Sequence, residues 1–269
     1  MSTDIPFPMV HSPAVVANLE SVNILGVQVA SLDRNAMMDL VLGWADRGGG
    51  DEGKCPARTI LYVNAHCLNI ASVDQNYRSL LNQADLVYPD GISVVWAGKL
   101  LHGCQMYKIT GADWIYNFCE AAVRRCLRVY ILAGKPGIAA LAGANLERIY
   151  PGLQIVGARD GYFAEKSESE VLQELAQTSP DVVFVGMGVP RQEKWIADHR
   201  AEIATPVCWA VGALFDYVAG KEPRVPVWLN ALALEWLWRL LIDPTGKWKR
   251  YLFGNPLFIF RILLQKLGW

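Results

Sequence analysis

Residues 181–200 read DVVFVGMGVPRQEKWIADHR. Five apolar residues, Val182 to Val185 and Met187, crowd around the closely spaced glycines Gly186 and Gly188; a proline and the polar cluster Arg191-Gln192-Glu193-Lys194 follow. A short apolar run that ends in glycine and opens into a helical pattern reads as a buried strand turning into a helix. In a parallel α/β sheet, ligands sit beyond the carboxyl ends of the strands, at junctions of this kind. The stretch therefore predicts a fold and a place to look for a site.

The same grammar repeats on both sides. RVYILAG (128–134) precedes the helical IAALAGANLERIY, LQIVGARDG (153–161) precedes SESEVLQELAQ, and VCWAVG (207–212) closes the series. Upstream, VNILGVQVA reads as a strand or hairpin, and SLDRNAMMDLVLGWADR as a helix that Ser31 or Asp33 can cap. RGGGDEGKCPAR is a loop, TILYVN a buried strand, and His66 to about Gln83 helical. ADLVYPDG ends a short strand in a turn, ISVVWAGKLL is a helix, and Thr110 can cap TGADWIYNFCEAAVRRC. Apolar strands alternating with helices predict an α/β fold: a mostly parallel Rossmann-like sheet with helices on both faces. The proline-rich residues 1–20 are expected to be a loose tail, 21–223 the α/β catalytic domain, and 224–269 a helical appendage.

A chain of 269 residues with 52% hydrophobic residues can bury a substantial core. Its formal charge of −1 lacks the basicity that binding a phosphate backbone demands, so no nucleic-acid partner is expected. The charge is unevenly spread. Residues 225–269 carry six Lys/Arg against two acids, net +4, which leaves −5 on the remainder. Five of the ten tryptophans (Trp228, Trp236, Trp238, Trp248 and Trp269) lie in the same segment. A basic, aromatic tail on an acidic body suits a surface that is anionic and apolar together.

The six cysteines form no C-x-x-C pair, and they read as reduced thiols, mostly in the core. The start of the chain shows no basic n-region followed by a long apolar h-region, so no secretory signal is expected. No stretch supplies the roughly 18 uncharged apolar residues of a membrane span. The expected location is the cytoplasm, on the inner membrane surface.

Three glycine turns follow apolar strands: Asp90-Gly91, Gly134-Lys135-Pro136-Gly137 and Gly186-Met187-Gly188. Glycine lets backbone approach an anion, and the helix start behind it offers free N–H groups; several such turns in one sheet suit a diphosphate or nucleotide. A dinucleotide fingerprint is missing, since Arg191 stands where a third glycine belongs. There is no P-loop, G-x-S-x-G elbow, H-E-x-x-H or Asp-x-Asp pair, so no metal and no cofactor is expected. A leaving phosphate would then be neutralised by Arg, Lys and backbone N–H groups. Asp90, at a strand end in YPDGIS, is either a helix N-cap or a general base. Asp113 reads as a first-turn helix acid or a ligand-binding group. Gln192 and Glu193 read as a solvated helix face or as contacts to a ribose or base.

Taken together, VNAHCLNIA, ADLVYPDGISVV, TGADW, ILAGKPG, ARDGYF, GMGVPRQEKW, VGALFDYVAGKEPRVP and LEWLWRLLIDPTGKWKRY resemble the WecG/TagA/CpsF family of bacterial glycosyltransferases (glycosyltransferase family 26). The likeness runs from about Ile24 to Arg261. It implies transfer of a sugar from a UDP donor to an undecaprenyl-diphosphate-linked saccharide in surface-polysaccharide synthesis, with inversion and without a metal. N-acetylmannosamine, its uronate and glucose donors all occur among relatives. It further implies Asp90 as the base and Gln192 and Glu193 as contacts to the donor nucleotide. Asn64, Gly91, Thr110, Gly111, Asp113, Gly134, Lys135, Gly186 and Gly188 would complete the substrate site. Arg224, Arg239, Lys247, Lys249 and Arg250 would meet the lipid diphosphate and the membrane. Some members carry a threonine where this chain has Tyr62, so a sugar-positioning role for that hydroxyl is not carried over.

The tail also admits a plainer role, an apolar helix packed on the chain's own core or on a second copy, and Glu235 and Arg239 are spaced to pair at i, i+4. A homo-oligomer is accordingly among the expected partners. The competing functional readings are another nucleotide-dependent enzyme, such as an oxidoreductase, and a non-catalytic membrane scaffold.

Overall fold

A computed structural model describes residues 19–46, 56–163, 167–223, 225–226, 229 and 235–269. The predicted tail up to residue 18 and most of the RGGGDEGKCPAR loop lie outside the described residues.

The chain opens with an antiparallel hairpin, β1 (Ser21–Ile24) and β2 (Val27–Ala30), whose turn residues Leu25 and Gly26 both have positive φ. That is the turn whose twist matches a two-residue hairpin. Helix α1 (Arg34–Ala45) follows, capped by Asp33, whose side chain accepts the Ala36 N–H. Next come β3 (Arg58–Val63), α2 (Ala65–Ala71), α3 (Gln75–Gln83), β4 (Leu86–Pro89), α4 (Ile92–His102) and α5 (Gly111–Arg124). The predicted helix from His66 to Gln83 is thus two helices. Asp74 starts the second by accepting the Tyr77 N–H, and a competing cap of this kind interrupts a continuous pattern.

The regular half follows as read: β5 (Arg128–Ala133), α6 (Ile138–Ile149), β6 (Gln154–Arg159), α7 (Glu168–Thr178), β7 (Val182–Gly186), α8 (Arg191–His199), β8 (Val207–Ala210) and the short α9 (Leu214–Val218). The chain ends in α10 (Glu235–Ile242), α11 (Pro244–Trp248), a π-helical turn (Lys249–Phe253) and α12 (Gly254–Lys266).

Strands β3 to β8 form one parallel sheet in the order β4-β3-β8-β7-β5-β6. The last strand is inserted at the centre, between β3 and β7, so the turns after β3, β4, β7 and β8 gather at one end. The expected α/β sheet flanked by helices is what the chain forms.

Two apolar clusters cover the two faces. One packs α1, α5, α6 and α9 on the sheet around stacked Trp114 and Trp209, whose ring centroids are 3.9 Å apart. The other packs α2, α3, α4, α7 and α8, and it includes Phe258 and Ile262 of α12. Burying each of those two side chains stabilises the docking of α12 by roughly 1.5–3 kcal/mol. Polar contacts fix it further: Arg261 donates to the Asn69 carbonyl and side chain, both at 2.9 Å, and Gln265 donates to the Asn23 carbonyl at 3.0 Å. The last helix therefore shares the core of the sheet body. The five described cysteines are free; Cys67, Cys119 and Cys208 are buried, as expected.

Candidate active site

Beyond the carboxyl ends of β3, β4 and β8 lies a cavity of about 1340 Å³, closed on its far side by α10, the π-helical turn and α12. Its sheet-end wall is built by strand register. Asp90 continues β4, and its N–H donates to the Val63 carbonyl at 2.8 Å. The N-cap of α4 is Gly91, at φ 139, and no side chain caps that helix. A backbone angle that L residues rarely adopt is what glycine permits, and here it turns the chain so that the Asp90 carboxylate faces the cavity. The alternative of an N-cap aspartate is thereby removed.

Asn64, at the end of β3, holds the carboxylate in place. Its Oδ1 accepts the N–H groups of His66 and Cys67 at 3.0 and 3.2 Å, and its side chain hydrogen-bonds Asp90. Burial pushes Asp90 up to about 6, against the pull of Arg239, Arg250 and Asn64, while Glu235 adds to the rise. A carboxyl tuned to that range can accept a proton near neutral pH. Burial and Arg250 hold the neighbouring His66 down at about 4, so it is a neutral imidazole.

The helical wall supplies the cations. Arg239 Nη2 lies 2.5 Å from Glu235 Oε1, the pairing foreseen from their spacing, and its guanidinium sits 5.5 Å over the Tyr217 ring. Lys108 reaches Glu235 from the other side at 3.4 Å. Burial would raise Glu235, yet Arg239 and Lys108 keep it below the usual carboxylate range. Arg250 lines the cavity and sits 5.6 Å over Tyr251.

Of the residues singled out in the sequence, the cavity gathers Asn64, Asp90, Gly91, Thr110, Gly111, Asp113, Gly188, Arg239 and Arg250. Thr110 occupies the N-cap position of α5 without capping it; its hydroxyl bonds Asp113 instead. Others stand apart. Gly134 is buried, donating its N–H to the Gly186 carbonyl at 3.0 Å, and Lys135 is exposed outside the cavity lining. Gly186 sits where a Cβ would lie 2.5 Å from the Gly212 oxygen, so its role is close packing of adjacent strand ends.

Gln192 and Glu193 are fully buried behind the cavity, neither a solvated face nor part of its wall. The Gly212 N–H donates to Gln192 Oε1 at 3.0 Å, and Gln192 Nε2 donates to Glu193 Oε1 at 2.8 Å. The pair thus braces the turn after β8. Glu193 Oε2 has no partner among the described residues, and burial pushes this carboxyl up to about 7. Lys249 is exposed outside the cavity lining, while Arg224 and the side chain of Lys247 lie outside the described residues.

Sequence reading passed over Lys108, Tyr217 and Glu222, which also line the cavity. Lys108 lies between α4 and α5, whereas Tyr217 in α9 and Glu222 just after it fall inside the quoted VGALFDYVAGKEPRVP stretch without being singled out. Among the described residues, no group of three or more His, Cys, Asp or Glu side chains is placed to hold a metal ion. No described helix is long and apolar enough to cross a membrane.

The sequence pattern of the glycosyl transferase WecG/TagA/CpsF family matches residues 22–269. This chain belongs to that family. Among curated relatives, an N-acetylglucosaminyldiphosphoundecaprenol N-acetyl-β-D-mannosaminyltransferase of Bacillus subtilis is 31% identical over 204 residues, covering 76% of this chain and 78% of the relative. The protein of that name from Bacillus spizizenii is 33% identical, covering 72% and 74%. The one from Staphylococcus aureus is 31% identical, covering 77% and 80%. The WecG/TagA/CpsF member described here is a glycosyltransferase, and the oxidoreductase and scaffold readings give way to that activity.

Proposed function

We propose that this glycosyltransferase moves an N-acetylmannosamine-type sugar from a UDP donor to an N-acetylglucosaminyl-diphospho-undecaprenol acceptor, with inversion and without a metal. The observation that carries the reading is Asp90: a carboxylate left uncapped, aimed into the cavity, held by Asn64 and raised to about 6. In the proposed step the acceptor hydroxyl attacks the anomeric carbon as its proton passes to Asp90. The bond from that carbon to the UDP oxygen breaks on the opposite face, so an α-linked donor yields a β-linked product. A positioned base contributes about 10²–10⁴-fold. The guanidinium groups of Arg239 and Arg250 supply positive charge for the diphosphates, in place of a cation. The sugar and the acceptor named here follow the names of the relatives, and the UDP carrier is what the family resemblance implies.

The outer face of the C-terminal helices supports docking on a membrane surface. Leu241, Phe253 and Leu267 are exposed there, with Lys249 packed against Trp248 among them. Aromatic and basic groups of this kind sit well at a headgroup interface.

The test is transfer from a panel of UDP-sugars to N-acetylglucosaminyl-diphospho-lipid, with and without EDTA. Transfer from the N-acetylmannosamine donor, unchanged by EDTA, is the expected result. A folded protein that uses a different donor, or that EDTA silences, contradicts the substrate or the metal-free chemistry respectively.

A further inference from the structure

Besides Asp90 and Arg250, the cavity is lined by an apolar strip from α4 and α12. On α4 the strip is Trp96 and Leu100, one helical turn apart and 61% and 47% exposed. On α12 it is Ile259 and Leu263, also one turn apart and 59% and 48% exposed. The strip is not a frayed edge. The neighbouring residues Val94 and Ala97 on α4, and Phe258 and Ile262 on α12, are buried in a single core cluster. Arg261 ties α12 to Asn69 of α2, and Lys266 donates to the Leu101 carbonyl of α4 at 3.5 Å, so the strip is framed by anchored helices.

We propose that this groove binds the first isoprenoid units of the acceptor, as a subsite of the protein distinct from the bilayer. The inference rests on the acceptor proposed above. Four large apolar side chains kept in contact with water on rigid helices call for an apolar occupant. The choice of occupant comes from continuity: the strip is a wall of the same cavity that holds Asp90, not a separate face. Carboxylate, guanidinium and apolar strip line that cavity together. They match the three parts of the acceptor, its reacting hydroxyl, its diphosphate and its isoprenoid chain. A second copy of the chain or a lipid acyl chain would meet the strip without any reason for it to join the reaction chamber.

The test uses soluble acceptors with the N-acetylglucosaminyl-diphosphate head and tails of one, two or three isoprene units, in buffer free of vesicles and detergent. KM for wild type is expected to fall about tenfold per added unit, because a groove open on one side buries only part of each unit, with kcat unchanged. Trp96→Ser and Ile259→Ser, both at exposed positions, should flatten that dependence, raising KM far more for the three-unit acceptor than for the one-unit acceptor. A wild-type KM independent of tail length overturns the groove, as do variants that weaken all three acceptors equally. Tail dependence that appears only when vesicles are added assigns the effect to the bilayer and also overturns it. Calorimetric binding of the same compounds separates this inference from the proposed function. Tail-dependent binding without transfer upholds the groove and overturns the acceptor reading, whereas transfer with tail-independent binding does the reverse.

Discussion

The two walls of the cavity differ in construction. On the sheet side, Asp90, Asn64 and the turn after β8 are fixed by backbone pairing and by buried side chains behind them. On the helical side, Arg239 and Arg250 project from short helices whose outer faces are apolar and exposed. The difference suggests a division of labour. A proton acceptor must hold its geometry to within a fraction of an ångström, which strand ends provide. A surface that takes in a long amphiphile needs exposed apolar area beside cations, which a rigid polar sheet end does not offer.

The same contrast separates two raised carboxylates. Asp90, at about 6, opens on the cavity; Glu193, at about 7, is sealed behind it with one oxygen unpartnered. Burial raises both, but only Asp90 keeps access to the cavity, which is what the proposed proton transfer requires.

Asp90→Asn breaks the comparison most severely. Turnover is expected to fall about 10²–10⁴-fold, with the thermal midpoint at pH 8 unchanged or higher, because a carboxyl raised by burial destabilises the fold once ionised. Activity retained within a few-fold in steady-state assays would remove Asp90 from the reaction.

Arg239→Ala tests whether the helical wall acts on the sheet wall. Without that guanidinium the Asp90 carboxyl rises further, so the acid limb of activity moves to higher pH, and kcat/KM falls about 10- to 100-fold through lost diphosphate binding. An unshifted limb in the measured pH profile would show that the two walls are electrostatically independent.

Glu193→Gln sharpens the distinction between the carboxyls. Since its folded value of about 7 lies above the ordinary 4.5, Glu193 binds its proton more tightly when folded, and its ionisation lowers stability as pH rises between those values. The variant keeps the oxygen that accepts from Gln192 and removes that slope. By denaturant titration it should exceed wild type by about 1–3 kcal/mol at pH 8, with the gain shrinking towards pH 5. A loss of stability at every pH would mean that the ionised form is held by groups not seen in the structure.

The smallest effect is expected at the outer face. Lys249→Ala should weaken binding to anionic vesicles about fivefold, the worth of one charge near such a surface, and leave binding to neutral vesicles alone. Co-sedimentation that is equal for both vesicle types would contradict an electrostatic role for this residue.

The sequence made the sheet readable because each strand is a short apolar run stopped by glycine, as in VVFVG before Met187-Gly188. Asp90 was legible in place but not in role: its position after a buried strand left it either a helix N-cap or a base, and only the family resemblance implied the base. Strand order was not legible. Only the insertion of β8 between β3 and β7 brings Gly212 to the end of β3, and no local pattern encodes that neighbour. Helix phase hid the role of Gln192 and Glu193. They share the buried side of α8 with Trp195 and Ile196, so a polar pair that looked solvated closes over the turn after β8. Arg239 was within reach because its partner Glu235 lies one turn away on the same helix, whereas Lys108 meets Glu235 only across the fold.

The central claim is that Asp90 takes the proton. The direct measurement is the pH dependence of kcat/KM for sugar transfer by wild type, alongside the residual activity of Asp90→Asn. The account predicts an activity that rises through a single acid limb near pH 6 in wild type and a flat residual rate in the variant. A wild-type profile with no limb in that range, or the same limb persisting in the variant, would contradict it.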